Sequence, residues 1–483
     1  MNITDPIRRH AESTPEAVAI FRPDGASITY SRLDHDIDAV GRRLLGAGLA
    51  AGNVTGTIVA GPYRHIVLTL ALARLGIASA PMSLAAERMD AYVAPRGTPA
   101  NGTARLVTVD EIWMEGAPPS AGTSPLPSHQ DGAAVACYFQ SSGTTGIVKH
   151  VAITHDMLAR RVHSRGLLAP LPKPATQIST IGLGSHYGFK SVLRVLWTGG
   201  RVVLPGQPAA ERVASLIERH LVNYLVAAPV TLDRIIASLP PGAGPFPSLE
   251  TIEFGGSLLP RRIYEIARRR LCPNILSLYG TTESGVIAAA PMSVLADHPG
   301  AVGYVHRSVE IEAVDESDKP VTPGSEGILR VRSGTCVDAY AGDAAASPDA
   351  FKGGWFYPGD VGAVSGDGLL TLAGRTGEFI NCGGIKVSPQ VIEDVLLSLA
   401  QIREAAVFGA PDARGLTRIW AAIVPDGPLD AAAIKAICIE RLKEKSPHFL
   451  MPVTEIPRNA AGKILRDELT RMAITTGAAH ASR

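Results

Sequence analysis

Six consecutive small residues, Ser141, Ser142, Gly143, Thr144, Thr145 and Gly146, end three positions ahead of Lys149. Hydroxyl donors, glycines that expose backbone N–H groups and a nearby ammonium can cradle a polyphosphate. The same composition also makes a flexible linker. A Walker A loop needs a glycine directly before its lysine, a Ser or Thr after it, and then a helix. Here Val148 and His150 flank Lys149, and both AVACYFQ before the run and KHVAIT after it have strand character. The run therefore joins two strands and is not a Walker A loop.

Other segments carry residue types suited to anion or metal chemistry. YGTTESG (279–285) sets one carboxylate, Glu283, among hydroxyls, although alone it reads equally well as a capped turn. GSHYGFK (184–190) places His186 and Lys190 four residues apart, and a lone histidine is usually structural. Asp360 ends YPGD, which alone is a type I or II turn, and Arg375 follows 15 residues later. Lys463 sits in NAAGKILR (459–466), where the plain alternative is a surface lysine.

These residues need elements to position them. ITYSRLDHDIDAVGRRLLGAGL reads as a short strand and an amphipathic helix, with Leu33, Ile37, Val40, Leu44 and Leu45 on one face. PPSAGTSPLPSHQDG (118–132) is a loop by composition. The middle third alternates: YLVAAP strand, VTLDRIIASL helix, LETIEFGG strand, LPRRIYEIARRRL helix, NILSLYG strand. That order predicts parallel strands with helices on the sheet, and such sheets bind ligands at their strands' carboxyl ends. YGTTESG lies at such an end. From Ile311 to Thr371 short strands alternate with Gly, Pro and Asp turns. Pro389 suits a first helical position with Ser388 as N-cap. The last hundred or so residues read as a small α+β unit with a polar tail.

Composition narrows the function. The 483 residues suffice for two or three domains, and 46% hydrophobic content supports ample cores. Lys+Arg 46 against Asp+Glu 45 leaves no bulk charge to drive nucleic-acid or anionic-membrane binding. Five cysteines, never closer than the 46 residues from Cys336 to Cys382, form no CxxC, so neither a disulfide framework nor a zinc site is expected. The N-terminus has no apolar signal region, and the run Ile66–Ala73 is too short to span a bilayer. A soluble cytoplasmic protein is expected.

In order along the chain, SSGTTGIVK, YGTTESG, GWFYPGD, GRTGEFINCGGIKVSP and NAAGKILR resemble the motifs of the adenylate-forming superfamily: acyl- and aryl-CoA synthetases, adenylation domains and luciferases. Each motif is weak alone; five in order are specific, and the resemblance spans nearly the whole chain. It implies an α/β fold: a large N-terminal domain (1–376) of parallel-rich sheets flanked by helices, with a β-subdomain, and a small mobile α+β C-terminal domain (377–483). It also implies ATP, Mg²⁺ and coenzyme A as cofactors.

By that resemblance Ser141 to Gly146 and Lys149 orient the β- and γ-phosphates, and Tyr279, Gly280, Thr281 and Thr282 take adenine and the α-phosphate. Glu283 holds Mg²⁺, a hard cation suited to carboxylate oxygen. Asp360 and Arg375 take the ribose, and Lys463 contacts the substrate carboxylate and α-phosphate during adenylation. Gly383 and Gly384 line the pantetheine tunnel after the C-terminal domain rotates about Gly377, where most relatives carry Asp or Lys. His186 resembles the aromatic-loop histidine of acyl- and aryl-CoA synthetases. The acyl pocket would be formed by His186, Tyr187, Lys190, Gly255, Gly256, Ser257, Leu278, Val286, Ile287 and Ala288, compact and mostly apolar. Gly280 stands where acetate-specific relatives carry a bulky aromatic, so the pocket should exceed acetate size. A single-ring aromatic or short-to-medium aliphatic acid is expected. An α-amino acid is disfavoured because GSHYGFK lacks the ammonium-pairing aspartate. Two alternatives stay open: a stand-alone enzyme loading the phosphopantetheine of an acyl or peptidyl carrier protein, and a non-catalytic nucleotide or acyl-adenylate sensor. Monomer and homodimer are equally compatible with the sequence.

Overall fold

The computed structural model describes the chain except residues 85–87, 100–103, 111–123, 143–147, 343–346, 383–384, 413–414, 459–463 and 482–483. Five short strands rich in apolar residues (Arg201–Val203, Thr176–Ser179, Tyr224–Ala227, Thr251–Gly255 and Ile275–Thr281) lie side by side and parallel. The helices Pro229–Ser238 and Arg261–Arg270 connect the last three of them and bury Leu232, Ile235, Tyr264 and Ala267 on the sheet. This is the β-α-β-α-β order expected from the sequence, with the register the alternation demands. The sheet then turns antiparallel through the hairpin Ile275–Thr281/Gly285–Pro291 and continues into the short-strand region.

A second, six-stranded sheet ends in the hairpin Val135–Ser142/Val148–Thr154, so the Ser/Gly run does join two strands. Two helices, His155–Leu168 and His186–Trp197, pack against each other and contribute Leu158, Val162, Phe189 and Val192 to the main core. The helix Tyr30–Gly46 buries Leu33, Ile37, Val40 and Leu44, but Leu45 is 43% exposed. One further 100° step carries Leu45 off the apolar face.

The C-terminal portion has its own core. Strands Ile402–Pro411, Thr417–Pro425 and Phe449–Pro452 form a separate sheet, with Ile392, Val407, Ile423 and Ile434 packed on one side. Ser388 does precede the helix Pro389–Leu397, though its hydroxyl makes no capping bond. The polar tail is helical, Arg466–Ala481: Leu469 and Ala473, four residues apart, dock on the other side of this sheet beside Phe408 and Trp420. All five cysteines are free thiols, and no described helix is long and apolar enough to cross a membrane.

The helix that carries His186 has a fixed start. The Ser185 hydroxyl accepts from the Gly188 N–H at 3.1 Å, and a Cβ on Gly188 would meet the Gly182 carbonyl oxygen at 2.2 Å. Gly188→Ala should therefore push the 180–185 loop off the helix and cost about 1–3 kcal/mol, the usual scale of overpacking. A lowered urea midpoint at unchanged slope checks this; wild-type stability would refute the contact.

Candidate active site

The tight turn between the two hairpin strands, Thr282 to Ser284, presents Glu283. Arg161 fastens this turn from below: Nη1 donates to the Thr282 carbonyl at 2.8 Å, Nη2 to the Glu283 carbonyl at 2.6 Å, and Nε and Nη2 to the Thr335 carbonyl at 3.0 and 2.7 Å. The Val337 N–H and the Thr335 hydroxyl complete the clamp on Glu283 and Ser284. Arg161 Nη1 also reaches His186 Nε2 at 3.2 Å. A guanidinium can only donate, so this nitrogen of His186 is the acceptor and the ring is neutral. Burial, then Lys190, Arg161 and Arg165, push the His186 pKa well below its ordinary value.

The buried Glu283 carboxylate accepts from the Ser141 hydroxyl and, at 3.0 Å, from the Tyr340 hydroxyl on the same Oε1. Ser141 and Lys149 are direct partners across the loop hairpin, and the Lys149 ammonium lies 4.7 Å above the Tyr340 ring. The base of the Ser/Gly loop and the Glu283 turn thus form one unit. Gly143, Thr144, Thr145 and Gly146 lie outside the described residues, as do Gly383, Gly384 and Lys463; of Ser142 only the backbone pairing, with Val148, is described.

On the preceding strand the Tyr279 hydroxyl donates to Asp360 Oδ2 at 2.5 Å, and Arg375 Nε donates to Asp360 Oδ1 at 2.8 Å. The 15-residue step has a simple cause: Asp360 and Arg375 face each other across the antiparallel strands Asp360–Val364 and Leu369–Arg375. Burial, and next the Asp360 charge, hold the Tyr279 phenol well above its usual pKa, so it stays a donor.

Leu278, Val286 and Ala289 form a small apolar cluster with Leu168 and Tyr187. Ile287 and Ala288 pack into the main core instead. Tyr279 pairs with Ala288 while Gly280 pairs with Val286, so Ile287 is a bulge residue that shifts the alternation by one. Val286 and Ala289 consequently share a face. A Cβ on Gly280 would meet the Gly285 carbonyl oxygen at 2.2 Å, inside its own hairpin. Its small size serves the turn. Gly255 lies behind the cluster, where a Cβ would meet the Leu278 carbonyl at 2.8 Å and Tyr187 at 3.5 Å, while Gly256 and Ser257 are exposed. Lys190 is buried, one turn beyond His186. A separate cavity of about 1010 Å³ lies along another face of helix His155–Leu168, lined by His163, Leu167, Leu171 and Trp197; none of the sequence-predicted site residues borders it.

The family model described as AMP-binding enzyme matches residues 7–341, and that described as AMP-binding enzyme C-terminal domain matches residues 391–463. The chain belongs to the AMP-binding enzyme family. It is 27% identical to a 2-succinylbenzoate–CoA ligase of Bacillus licheniformis over 96% of this chain and 98% of that one. It is 29% identical to a 4-chlorobenzoate–CoA ligase of an Arthrobacter species, covering 95% and 93% of the two chains. An o-succinylbenzoate CoA synthetase of Bacillus subtilis, solved with an acyl-adenylate intermediate, shares the fold at a TM-score of 0.84 and 23% identity, covering 96% and 97%.

Sequence reading of this AMP-binding enzyme missed Arg161 and Tyr340. Arg161 had a legible signal: it and Arg165 fall on the same helical face as Leu158 and Val162, so both arginines occupy core positions. Tyr340, in an irregular segment, had none. Arg161→Met removes the donor from three backbone carbonyls at once. A stability loss of about 3 kcal/mol or more is expected, with AMP affinity lowered at least about tenfold. Denaturation and calorimetric titration with AMP measure the two, and undiminished AMP affinity would contradict the clamp.

Proposed function

We propose that this enzyme activates a carboxylic acid with ATP and passes the acyl group to the thiol of coenzyme A. The substrate carboxylate oxygen attacks the α-phosphorus, pyrophosphate leaves, and acyl-AMP forms; the thiolate sulfur then attacks the acyl carbon and AMP leaves. One observation carries the reading: the Ser141–Lys149 loop base, Glu283 and the Tyr279–Asp360–Arg375 trio all converge on one end of the Ile275–Pro291 hairpin. It is supported by CoA-ligase relatives that align over nearly the full chain.

Each side chain has a part in bringing two anions together. Lys149 and the Ser141 hydroxyl neutralise and orient the distal phosphates, and Thr282 donates to the α-phosphate. Asp360 accepts from the ribose hydroxyls; its two bonds to Tyr279 and Arg375 leave acceptor capacity for them. Glu283 is a lone carboxylate, and no cluster of three or more His, Cys, Asp or Glu suited to a metal exists among the described residues. One carboxylate completed by phosphate oxygens is ordinary Mg²⁺ coordination, so the donors fit an ion that arrives with the nucleotide. That ion would screen phosphate charge. His186, neutral and bonded through Nε2, lines the pocket and moves no proton there. Residues 1–376 form the adenylation core, and 377–483 the mobile domain that supplies Lys463 and then Gly383–Gly384. A Cβ on Gly377 would find open space, so the hinge is sterically free. Free cysteines suit a reducing, cytoplasmic setting.

The roles separate by half-reaction. Lys463→Ala should slow pyrophosphate release from ATP and acid by about 10²–10³-fold or more, yet leave thioester formation from supplied acyl-AMP nearly unchanged. Equal loss in both steps would sink the assignment. Pyrophosphate release across aromatic and aliphatic acids, with and without CoA, tests the reaction itself.

The acid-binding wall is also testable. Leu278 is buried against Val286, Ala289 and Tyr187, and in this reading its side chain takes up part of the acid pocket. Each buried CH₂ is worth about 0.8 kcal/mol, so Leu278→Gly should shift kcat/KM toward larger acids by about tenfold. Strong wild-type activity on long-chain fatty acids would show that the wall is elsewhere.

A further inference from the structure

Four cationic side chains crowd the interior beside the apolar wall. Arg161 and Arg165 come from helix His155–Leu168, Lys190 and Arg194 from helix His186–Trp197, and each is at most 2% exposed. Arg161 is satisfied by backbone carbonyls. The carboxylate ion-paired in this cluster is Glu253, itself fully buried. Its acceptor positions are taken: Oε1 by Arg165 Nη2 and, at 2.8 Å, the Tyr187 hydroxyl; Oε2 by the Tyr224 hydroxyl at 2.7 Å and Arg165 Nε at 3.3 Å. A carboxylate offers about four such positions. Nothing remains for Lys190, whose ammonium has no hydrogen-bond or ion-pair partner among the described residues. Arg165 Nη1 and Arg194 Nη1 are buried without a hydrogen-bond partner.

An unpaired buried ammonium costs several kcal/mol, and a stable fold has little reason to keep one. Its position gives the reason. Lys190 is four residues after His186 and three after Tyr187, hence on the same helical face, about 6 Å further along the axis. Tyr187 belongs to the apolar wall. We propose that the acid substrate carries a second carboxylate, held by Lys190 at the far end of the pocket, while its first carboxylate is the one adenylated. A short aliphatic dicarboxylic acid, or a benzene ring bearing two acid groups, has this chemistry. This rests on the ligase reading above and narrows its substrate class. Burial, then Arg165 and Arg161, also push the Lys190 pKa well below its ordinary value. With the folded value depressed, the unfolded chain binds that proton more tightly, so at pH values below the ordinary lysine pKa Lys190 lowers the stability of the free protein.

Matched acids decide it: butyrate against succinate, valerate against glutarate, benzoate against isophthalate. With ATP and Mg²⁺, wild-type pyrophosphate release should favour the dicarboxylate in at least one pair by about tenfold or more in kcat/KM. Lys190→Met, which keeps the volume, should erase that preference, and Lys190→Arg should retain part of it. The free Lys190→Met protein should melt higher than wild type, whereas a lysine needed for structure alone would give a lower midpoint. Equal or better use of the monocarboxylates by wild type overturns the second-carboxylate site and leaves the ligase reading intact, and this comparison stands even if Lys190→Met does not fold. No release with any acid overturns both.

Discussion

The five N–H donors of one guanidinium hold the site together. Arg161 contacts no described carboxylate through a hydrogen bond; its partners are the carbonyls of Thr282, Glu283 and Thr335 and the ring of His186. Those four residues come from the hairpin turn, the short-strand region and the start of a helix, far apart in sequence. A turn with exposed carbonyls would otherwise be free to pivot, and with it the direction of the Glu283 side chain. The cost of burying the cation is met by carbonyl dipoles, which is why removing it would leave several acceptors unsatisfied at once.

Around that fixed turn, the remaining polar residues are placed by strand register. Ser141 stands opposite Lys149, and Asp360 opposite Arg375, because each pair is a direct cross-strand partner. Cross-strand neighbours on one face lie about 5 Å apart, so a donor and an acceptor on facing strands meet without a specialised loop. Tyr279 and Tyr340 then bridge from these pairs inward, one to Asp360 and one to Glu283. The Tyr340 phenol is buried and that of Tyr279 partly so, and both are held in the protonated form, so both act as donors to carboxylates at neutral pH.

Much of this was legible in the sequence wherever the signal was periodic or local. The alternation from Tyr224 to Gly280 fixed five elements and their parallel pairing. The spacing of Asp360 and Arg375 was visible as a number, but its meaning, facing positions on a hairpin, needed the register. What stayed hidden depends on contacts between distant segments. Nothing local to Tyr340 says that its hydroxyl meets Glu283 some 57 residues away. The apolar cluster was half legible: the sequence groups Val286 with Ile287 and Ala288, but the bulge at Ile287 sets Ala289 rather than Ala288 on the face of Val286. A one-residue slip of this kind reverses which side chains line a cavity, and periodicity alone cannot detect it.

The buried charges follow a similar logic on a larger scale. Helices His155–Leu168 and His186–Trp197 each place two cations four residues apart on an inward face, where sequence composition would suggest solvent. Placed face to face, these pairs would repel unless anions intervened. Glu253 intervenes for Arg165 and, at 3.8 Å, more weakly for Arg194, and two tyrosine hydroxyls complete its shell. One carboxylate cannot balance three neighbouring cations, so the free protein retains positive potential behind an otherwise apolar wall. In a low-dielectric pocket such a potential acts over the whole cavity and is screened little by salt. A potential of this sign opposes an ammonium group and attracts a carboxylate before either touches a side chain.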